Sequence, residues 1–224
     1  MQEVYNRIFA YSSLVTPLFL GIIAGSAVSG EIDTTARDFL SAFIFSWLHW
    51  FAVAVGFFTV CICGFLAAIY LIGETDNEQE KQRFIKKALI LNVAAVICGG
   101  LVFIAAHVQG IPLGQWIFGN IIGILVVGLA TLSLIALWYL IYLGKTIIIR
   151  ILAGFQVTMI LLAVTFNHFP NIVILKNGGY LSLLEHQGYH KTMESLGWAL
   201  LLGSVFILPA LFYLIYSFQK KAKV

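Results

Sequence analysis

The chain has 224 residues, of which 61% are hydrophobic and only 10% are charged, and its mean hydropathy is +0.97. This composition excludes a soluble globular domain and indicates a polytopic helical membrane protein. A β-barrel is disfavoured because the apolar runs of roughly 20 residues are continuous rather than alternating. The net charge of +3 is small and collected in a few loops, which favours a role in membrane orientation over nucleic-acid binding.

The first predicted membrane span covers about 8–28 and follows a short polar start. Pro17 opens or kinks this helix, and Gly21 with Gly25 forms a ridge of small residues that lets another helix approach closely. The general frequency of glycine in such helices is an equally simple explanation. A signal peptide is a competing interpretation, but an apolar run of roughly 20 residues exceeds the 7–15 residues typical of one.

The second span, about 50–72, contains no charged residue and continues an apolar run that starts at Trp47. Its roughly 20 apolar residues are enough to cross the ~30 Å hydrocarbon core of a bilayer. A short surface-lying helix over 39–46 is expected to lead into it. His49 and Trp50 lie at its start, where an imidazole can ligate a haem iron or bond a quinone oxygen. The more ordinary interpretation is an interfacial histidine that bonds water or a backbone carbonyl.

Four further spans follow, at about 88–106, 116–143, 146–166 and 196–217. The fourth span carries a second pair of small residues, Gly119 and Gly123, which predicts another close helix contact. Arg150 lies one turn inside the fifth span, where its long side chain can reach the interface without being a functional charge. The connection over 167–195 is expected to be a long loop with a turn at 177–179.

The distribution of basic residues predicts the orientation of the six spans. An even number of spans places both termini on the same side, and ten of the 13 Lys and Arg residues fall on that side. These ten residues are Arg7, Lys81, Arg83, Lys86, Lys87, Lys145, Arg150, Lys220, Lys221 and Lys223. The other side has Arg37, Lys176 and Lys191. This bias predicts that both termini are cytoplasmic.

No pattern in the sequence indicates independent catalysis. All three cysteines lie in apolar runs, which favours small buried residues over metal ligands. His186, His190 and Glu194 share a spacing of four that would place them on one helix face as a metal site, but Gly188 and polar surroundings favour a solvated loop. Phosphate loops, hydrolase motifs and intramembrane carboxylates are missing. We therefore expect no catalytic residue, no metal site and no nucleic-acid partner.

Several short motifs, in their order along the chain, resemble subunit II of the cytochrome bd quinol oxidases. The first is the run from Pro17 through Gly21 to Gly25, which matches the Pro-x3-Gly-x3-Gly pattern of the family's fourth helix. The second is Ala-Ile-Tyr-Leu at 68–71, followed by Glu-Thr at 74–75. Further matches precede the last helix: Phe-Pro at 169–170, Leu-Ser-Leu at 181–183, and Thr192.

The resemblance implies a helical subunit of a respiratory enzyme in the prokaryotic cytoplasmic membrane. It implies that the partner, subunit I, holds the haems b and d and the quinol site, and that this chain is without a catalytic haem. A bound quinone in this chain is a further expectation, with His49 and Trp50 as its candidate contacts. The six spans correspond to the family's fourth to ninth helices. The first three are absent, so we expect either a separate chain that supplies them or a reduced relative.

Two other functions compete with this one. A small transporter or channel is disfavoured because the spans show neither buried charge nor an inverted repeat. A b-type cytochrome would use His49 and His107, which the predicted topology places on the same side of the membrane. The sequence does not show whether these two imidazoles face each other.

Overall fold

The computed structural model describes residues 2–75, 77–143, 146–185 and 188–221. The chain is 78% helical, which confirms the predicted all-α membrane bundle. The helices are α1 (Gln2–Ser29), α2 (Phe39–Phe43), α3 (Trp50–Ile72), α4 (Glu78–Val108), α5 (Leu113–Phe118), α6 (Ile121–Tyr142), α7 (Thr146–His168) and α8 (His190–Lys221). The strands are β1 (Asn171–Ile174) and β2 (Tyr180–Ser182).

Among the described residues, six helices are long and apolar enough to cross a membrane, as predicted: α1, α3, α4, α6, α7 and α8. Several of them extend beyond the predicted limits because polar residues continue the helix outside the apolar run. The clearest case is α4, which begins at Glu78 rather than near 88. The Asn77 side chain caps this helix by accepting from the Gln79 N–H, and Glu78 and Glu80 lie in its first turn, where carboxylates stabilise the positive end of the helix dipole.

The span predicted over 116–143 is interrupted. The short helix α5 ends at Gly119, whose N–H donates to the Gln115 carbonyl over 2.8 Å, and Asn120 is extended before α6 begins. Gly119 and Gly123 therefore lie at this junction. A Cβ atom at Gly119 would meet the Gln115 carbonyl, and one at Gly123 would meet the Ile117 carbonyl. The nearest neighbours of these two glycines are thus in α5 rather than in another long helix.

The structure divides into two compact units, Met1–Ser182 and Leu183–Val224. In the first unit α3 is central, since α1, α4 and α7 all pack against it, and α6 packs against α7. One cluster of buried apolar side chains joins α3, α4, α6 and α7. A second joins α3, α4 and α5 at Phe51, Val102 and Ile117. The second unit contains α8, which continues through Pro209.

Small residues bring α1 and α3 into close contact. A Cβ atom at Gly21 would lie 2.8 Å from the Gly56 Cα, and one at Gly25 would lie 3.0 Å from the Ala52 Cα. Gly56 meets α1 in the same way, since its Cβ would lie 2.9 Å from the Leu18 carbonyl oxygen. The ridge predicted from Gly21 and Gly25 therefore faces α3 of the same chain. Pro17 lies within α1 one turn before this contact.

The connection after α7 is more ordered than the predicted loop. Strands β1 and β2 form an antiparallel hairpin, and the expected turn contains Gly178 at φ +76°. The hairpin contacts the α1–α3 connection, because Leu175 bridges Ile32 and the Lys176 ammonium lies 3.6 Å from the Glu31 carboxylate. These two connections therefore lie at the same end of the bundle, as the sequence topology requires.

Candidate functional site

His49 caps the N-terminus of α3. Its backbone is extended, and its Nδ1 accepts the Ala52 N–H over 3.3 Å. The Gln109 Oε1 at the end of α4 accepts the Phe51 N–H over 2.8 Å. Two side chains thus satisfy N–H groups that the first turn of a helix leaves without partners. The neighbouring Trp50 is 77% exposed.

The electrostatic environment of His49 favours the neutral imidazole. Burial lowers the pKa of this group below its usual 6.5, although the nearby Gln109 amide and Glu31 carboxylate act in the opposite direction. A neutral ring with the proton on Nε2 can accept the Ala52 N–H at Nδ1. The Nε2 atom is buried and has no hydrogen-bond partner among the described residues. The role of His49 and Trp50 as quinone contacts stays a prediction.

A b-type haem in this chain would need histidine ring nitrogens that can reach the iron. All four described histidines lie at helix ends: His49 before α3, His107 in the last turn of α4, His168 at the end of α7 and His190 at the start of α8. His107 is exposed, and the His168 Nδ1 lies 2.8 Å from the Val164 carbonyl. The absence of a haem from this chain stays a prediction.

The proposed metal pattern is only partly covered by the structure. His186 lies outside the described residues, and Glu194 lies within α8. The described parts of the chain contain no group of three or more His, Cys, Asp or Glu side chains close enough to hold a metal ion.

Arg150 joins the start of α7 to the end of α3. Its Nη2 donates to the Tyr70 carbonyl over 2.7 Å and to the Glu74 Oε1 over 2.9 Å. The guanidinium also lies 5.6 Å from the centre of the Tyr70 ring. A Cβ atom at Gly73 would meet the guanidinium, the flexible end of the Arg150 side chain, so a larger residue there would displace this group. The position of Arg150 in the sequence predicts a side chain that reaches the membrane interface. The structure shows in addition that Arg150 stabilises the C-terminus of α3.

A partly open apolar cavity is lined by residues of α3, α4, α5, α6 and α7. It has a larger part of about 410 Å³ and a smaller part of about 130 Å³. Six residues line both parts: Phe58, Val96, Gly99, Leu134, Gln156 and Ile160. Gln156 is one of few polar groups in this lining, and its Oε1 is buried without a hydrogen-bond partner among the described residues.

Comparison with known families decides what kind of membrane protein this is. The family model of cytochrome bd terminal oxidase subunit II matches residues 1–218. The chain belongs to this family. Searching the curated proteins gives no match. The family resemblance drawn from the sequence motifs is therefore confirmed, and this subunit II is a multi-pass membrane protein.

Several polar contacts of this subunit II were not predicted from the sequence. Cys61 in α3 and Cys98 in α4 lie with their sulfurs 3.7 Å apart, although their separation along the chain gives no sign of it. The Trp138 indole donates to the buried Asn92 amide oxygen over 2.9 Å and joins α6 to α4. The sequence does contain a signal for Gln156, because an amide in the middle of an apolar span usually has a polar partner.

Proposed function

We propose that this chain is the haem-free integral membrane subunit of a bd-type quinol:oxygen oxidoreductase, in which it supports the haem-bearing subunit I. The observation that carries the proposal is the family match over residues 1–218. Oxidation of quinol and reduction of oxygen would then take place in the partner. This chain contributes a scaffold that is itself held together by α3.

The placement of charged groups supports a role without proton transfer. Each described Asp or Glu of the spanning helices lies within the first five residues of its helix, at Glu3, Glu78, Glu80 or Glu194. A proton relay through the membrane would need a titratable group at depth.

The contact with the partner is proposed to involve the face of α1 that points away from α3. Since the ridge of Gly21 and Gly25 is already occupied by α3, a neighbouring chain must use other residues. Tyr11, Leu20 and Ile23 are apolar or aromatic and are 69%, 62% and 63% exposed. In this proposal both termini are cytoplasmic in a prokaryotic membrane. The ion pair of Arg150 with Glu74 is then at the cytoplasmic end.

The proposal is tested by removing the chain from its host and restoring it as variants. We expect loss of quinol oxidase activity and of the haem absorption of the complex without this chain, and recovery of both with the natural sequence. His49→Asn, which retains a capping side chain, and His107→Leu should restore the same haem spectrum. A haem band that disappears only in His107→Leu would contradict the haem-free assignment. Full activity without the chain would contradict the supporting role.

A further inference from the structure

Three basic side chains lie where α4 enters the membrane-spanning part of its sequence. Arg83, Lys86 and Lys87 are exposed and precede the uncharged run that starts at Ala88. At 1.5 Å per residue they lie about 1.5–7.5 Å before Ala88 along the helix axis. A bilayer of roughly 40–45 Å with a hydrocarbon core of ~30 Å leaves about 5–8 Å for the headgroups on each side. The three side chains are therefore at headgroup depth.

The charges of these three side chains are not compensated within the described part of the chain. None of the four ion pairs found there includes Arg83, Lys86 or Lys87. The two carboxylates in the first turn of α4 offer no counter-charge at this depth. Glu78 is paired with Lys81 over 3.3 Å, and Glu80 lies eight residues, or about 12 Å, before the apolar run. This end of α4 thus presents a surplus of positive charge at the membrane surface.

The helix face that carries the basic groups continues into the membrane as an exposed apolar stripe. At 3.6 residues per turn, Arg83, Lys86 and Lys87 fall within an arc of about 100° around the axis of α4. Four large apolar side chains of the same helix fall in that arc and are at least half exposed: Ile90, Ile97, Leu101 and Ile104. Ile97 lies nine residues, or about 14 Å, beyond Ala88, so the stripe from Ile90 to Ile97 spans the depth of one leaflet.

The composition of the stripe favours lipid over a neighbouring helix. Helices that pack closely in membranes do so through small residues, as α1 and α3 do through Gly21, Gly25 and Gly56. The stripe on α4 has large branched side chains instead. A row of cations next to such a stripe matches an anionic phospholipid, whose phosphate lies at the surface and whose acyl chain lies below it. Arginine also binds phosphate oxygens through two parallel N–H donors.

We infer that this face of α4 binds an anionic phospholipid. Arg83, Lys86 and Lys87 attract the phosphate, and an acyl chain lies along Ile90 and Ile97. Arg83 and Lys86 line an open groove of about 470 Å³, which leaves room for the headgroup. The groove is also lined by Glu78, Gln79 and Gln82. The inference does not depend on the proposed oxidase function, because it requires only that α4 crosses the membrane.

The test uses the full chain, purified in a mild detergent together with any chain that accompanies it. Phosphatidylglycerol and phosphatidylcholine with the same acyl chains are titrated in, and the lipids bound are counted by native mass spectrometry. We expect phosphatidylglycerol to bind on the order of 100-fold more tightly, which is about fivefold for each of three basic residues near the headgroup. Equal affinities for the two lipids would overturn the inference.

A pair of double variants locates the headgroup. Arg83→Gln/Lys86→Gln should lower the affinity for phosphatidylglycerol about 25-fold and leave that for phosphatidylcholine unchanged, which shows that the chain is still folded. Arg37→Gln/Lys176→Gln removes the same charge beyond the other end of α3, about 35 Å away, and should change neither affinity by more than about twofold. An equal loss in the two double variants would overturn the inference, since only net charge would then matter.

A photoactivatable phosphatidylglycerol with a diazirine in the middle of one acyl chain locates that chain. We expect label on α4 between 90 and 104, and much less of it in Arg83→Gln/Lys86→Gln. Label that is absent from α4, or confined to an accompanying chain that covers this face, would overturn the inference. Displacement of the lipid by an equal concentration of glycerol phosphate would do the same, since the site would then bind phosphate without an acyl chain. None of these readouts involves oxidase activity, so a failure here is distinct from a failure of the proposed function.

Discussion

Replacing Gly21 with alanine should destabilise the pair of helices α1 and α3. The new Cβ would lie 2.8 Å from the Gly56 Cα and would also collide with the Thr59 hydroxyl. That hydroxyl is held on the Val55 carbonyl over 2.8 Å, and backbone atoms cannot rotate away, so the helices must separate by several tenths of an ångström. Overpacking of this kind costs about 1–3 kcal/mol, or about fivefold to 150-fold in the unfolding equilibrium.

The structure also predicts a ranking among glycines that tests the reasoning. A Cβ at Gly25 would lie 3.0 Å from the Ala52 Cα, so Gly25→Ala should be destabilising but less so than Gly21→Ala. Gly128 has no atom within 4 Å of such a Cβ, which makes Gly128→Ala the matched control. The measurement is reversible unfolding of the purified chain against increasing mole fraction of sodium dodecyl sulfate. If Gly21→Ala and Gly128→Ala have the same free energy of unfolding, the close packing of α1 on α3 is refuted.

Three other predictions follow from the polar contacts. Arg150→Met removes hydrogen bonds to a carbonyl and a carboxylate and should lower the free energy of unfolding by about 1.5–3 kcal/mol. Lys176→Ala removes a more exposed ion pair and should change the free energy of unfolding by less than about 1 kcal/mol in the same assay. Burial lowers the pKa of His49 in the folded chain. As the pH falls below 6.5, the unfolded chain therefore binds a proton first, and the melting temperature of the natural chain should fall below this pH. The decrease should be smaller in His49→Asn. A melting temperature with the same pH dependence in both would contradict this role. Stoichiometric mercuric ion should protect Cys61 and Cys98 together from alkylation, as measured by mass spectrometry, and protection of only one would contradict their proximity.

The sequence was sufficient to predict the six spans because lipid imposes a strong and simple requirement on each of them. An apolar run long enough to cross a bilayer can satisfy its backbone groups only as a helix. The same signal says little about helix ends, since polar residues continue α4 from Glu78 and α8 to Lys221. It also missed the break between α5 and α6, because the local backbone at Gly119 and Asn120, and not hydropathy, determines that break.

The candidate sites were less predictable because they depend on contacts between distant parts of the chain. The sequence identifies His49 as a polar group at a helix start, and the structure shows that it caps α3 together with Gln109. The sequence gives only the position of Arg150 within its own helix, whereas its partners, Tyr70 and Glu74, lie at the end of α3 and just beyond it. The cavity around Gln156 is formed only when the five helices α3 to α7 are packed together. Periodicity describes one helix at a time and does not contain this information.

The most direct test of the assignment is to purify the tagged chain from its native membrane in a mild detergent and to measure both its partner chains and the haem spectrum. The account predicts one haem-bearing chain at equal stoichiometry, with the reduced haem bands of b and d type, and no haem left on this chain after the two are separated. A chain that purifies without a haem-bearing partner, or one that keeps a haem when isolated, would contradict it.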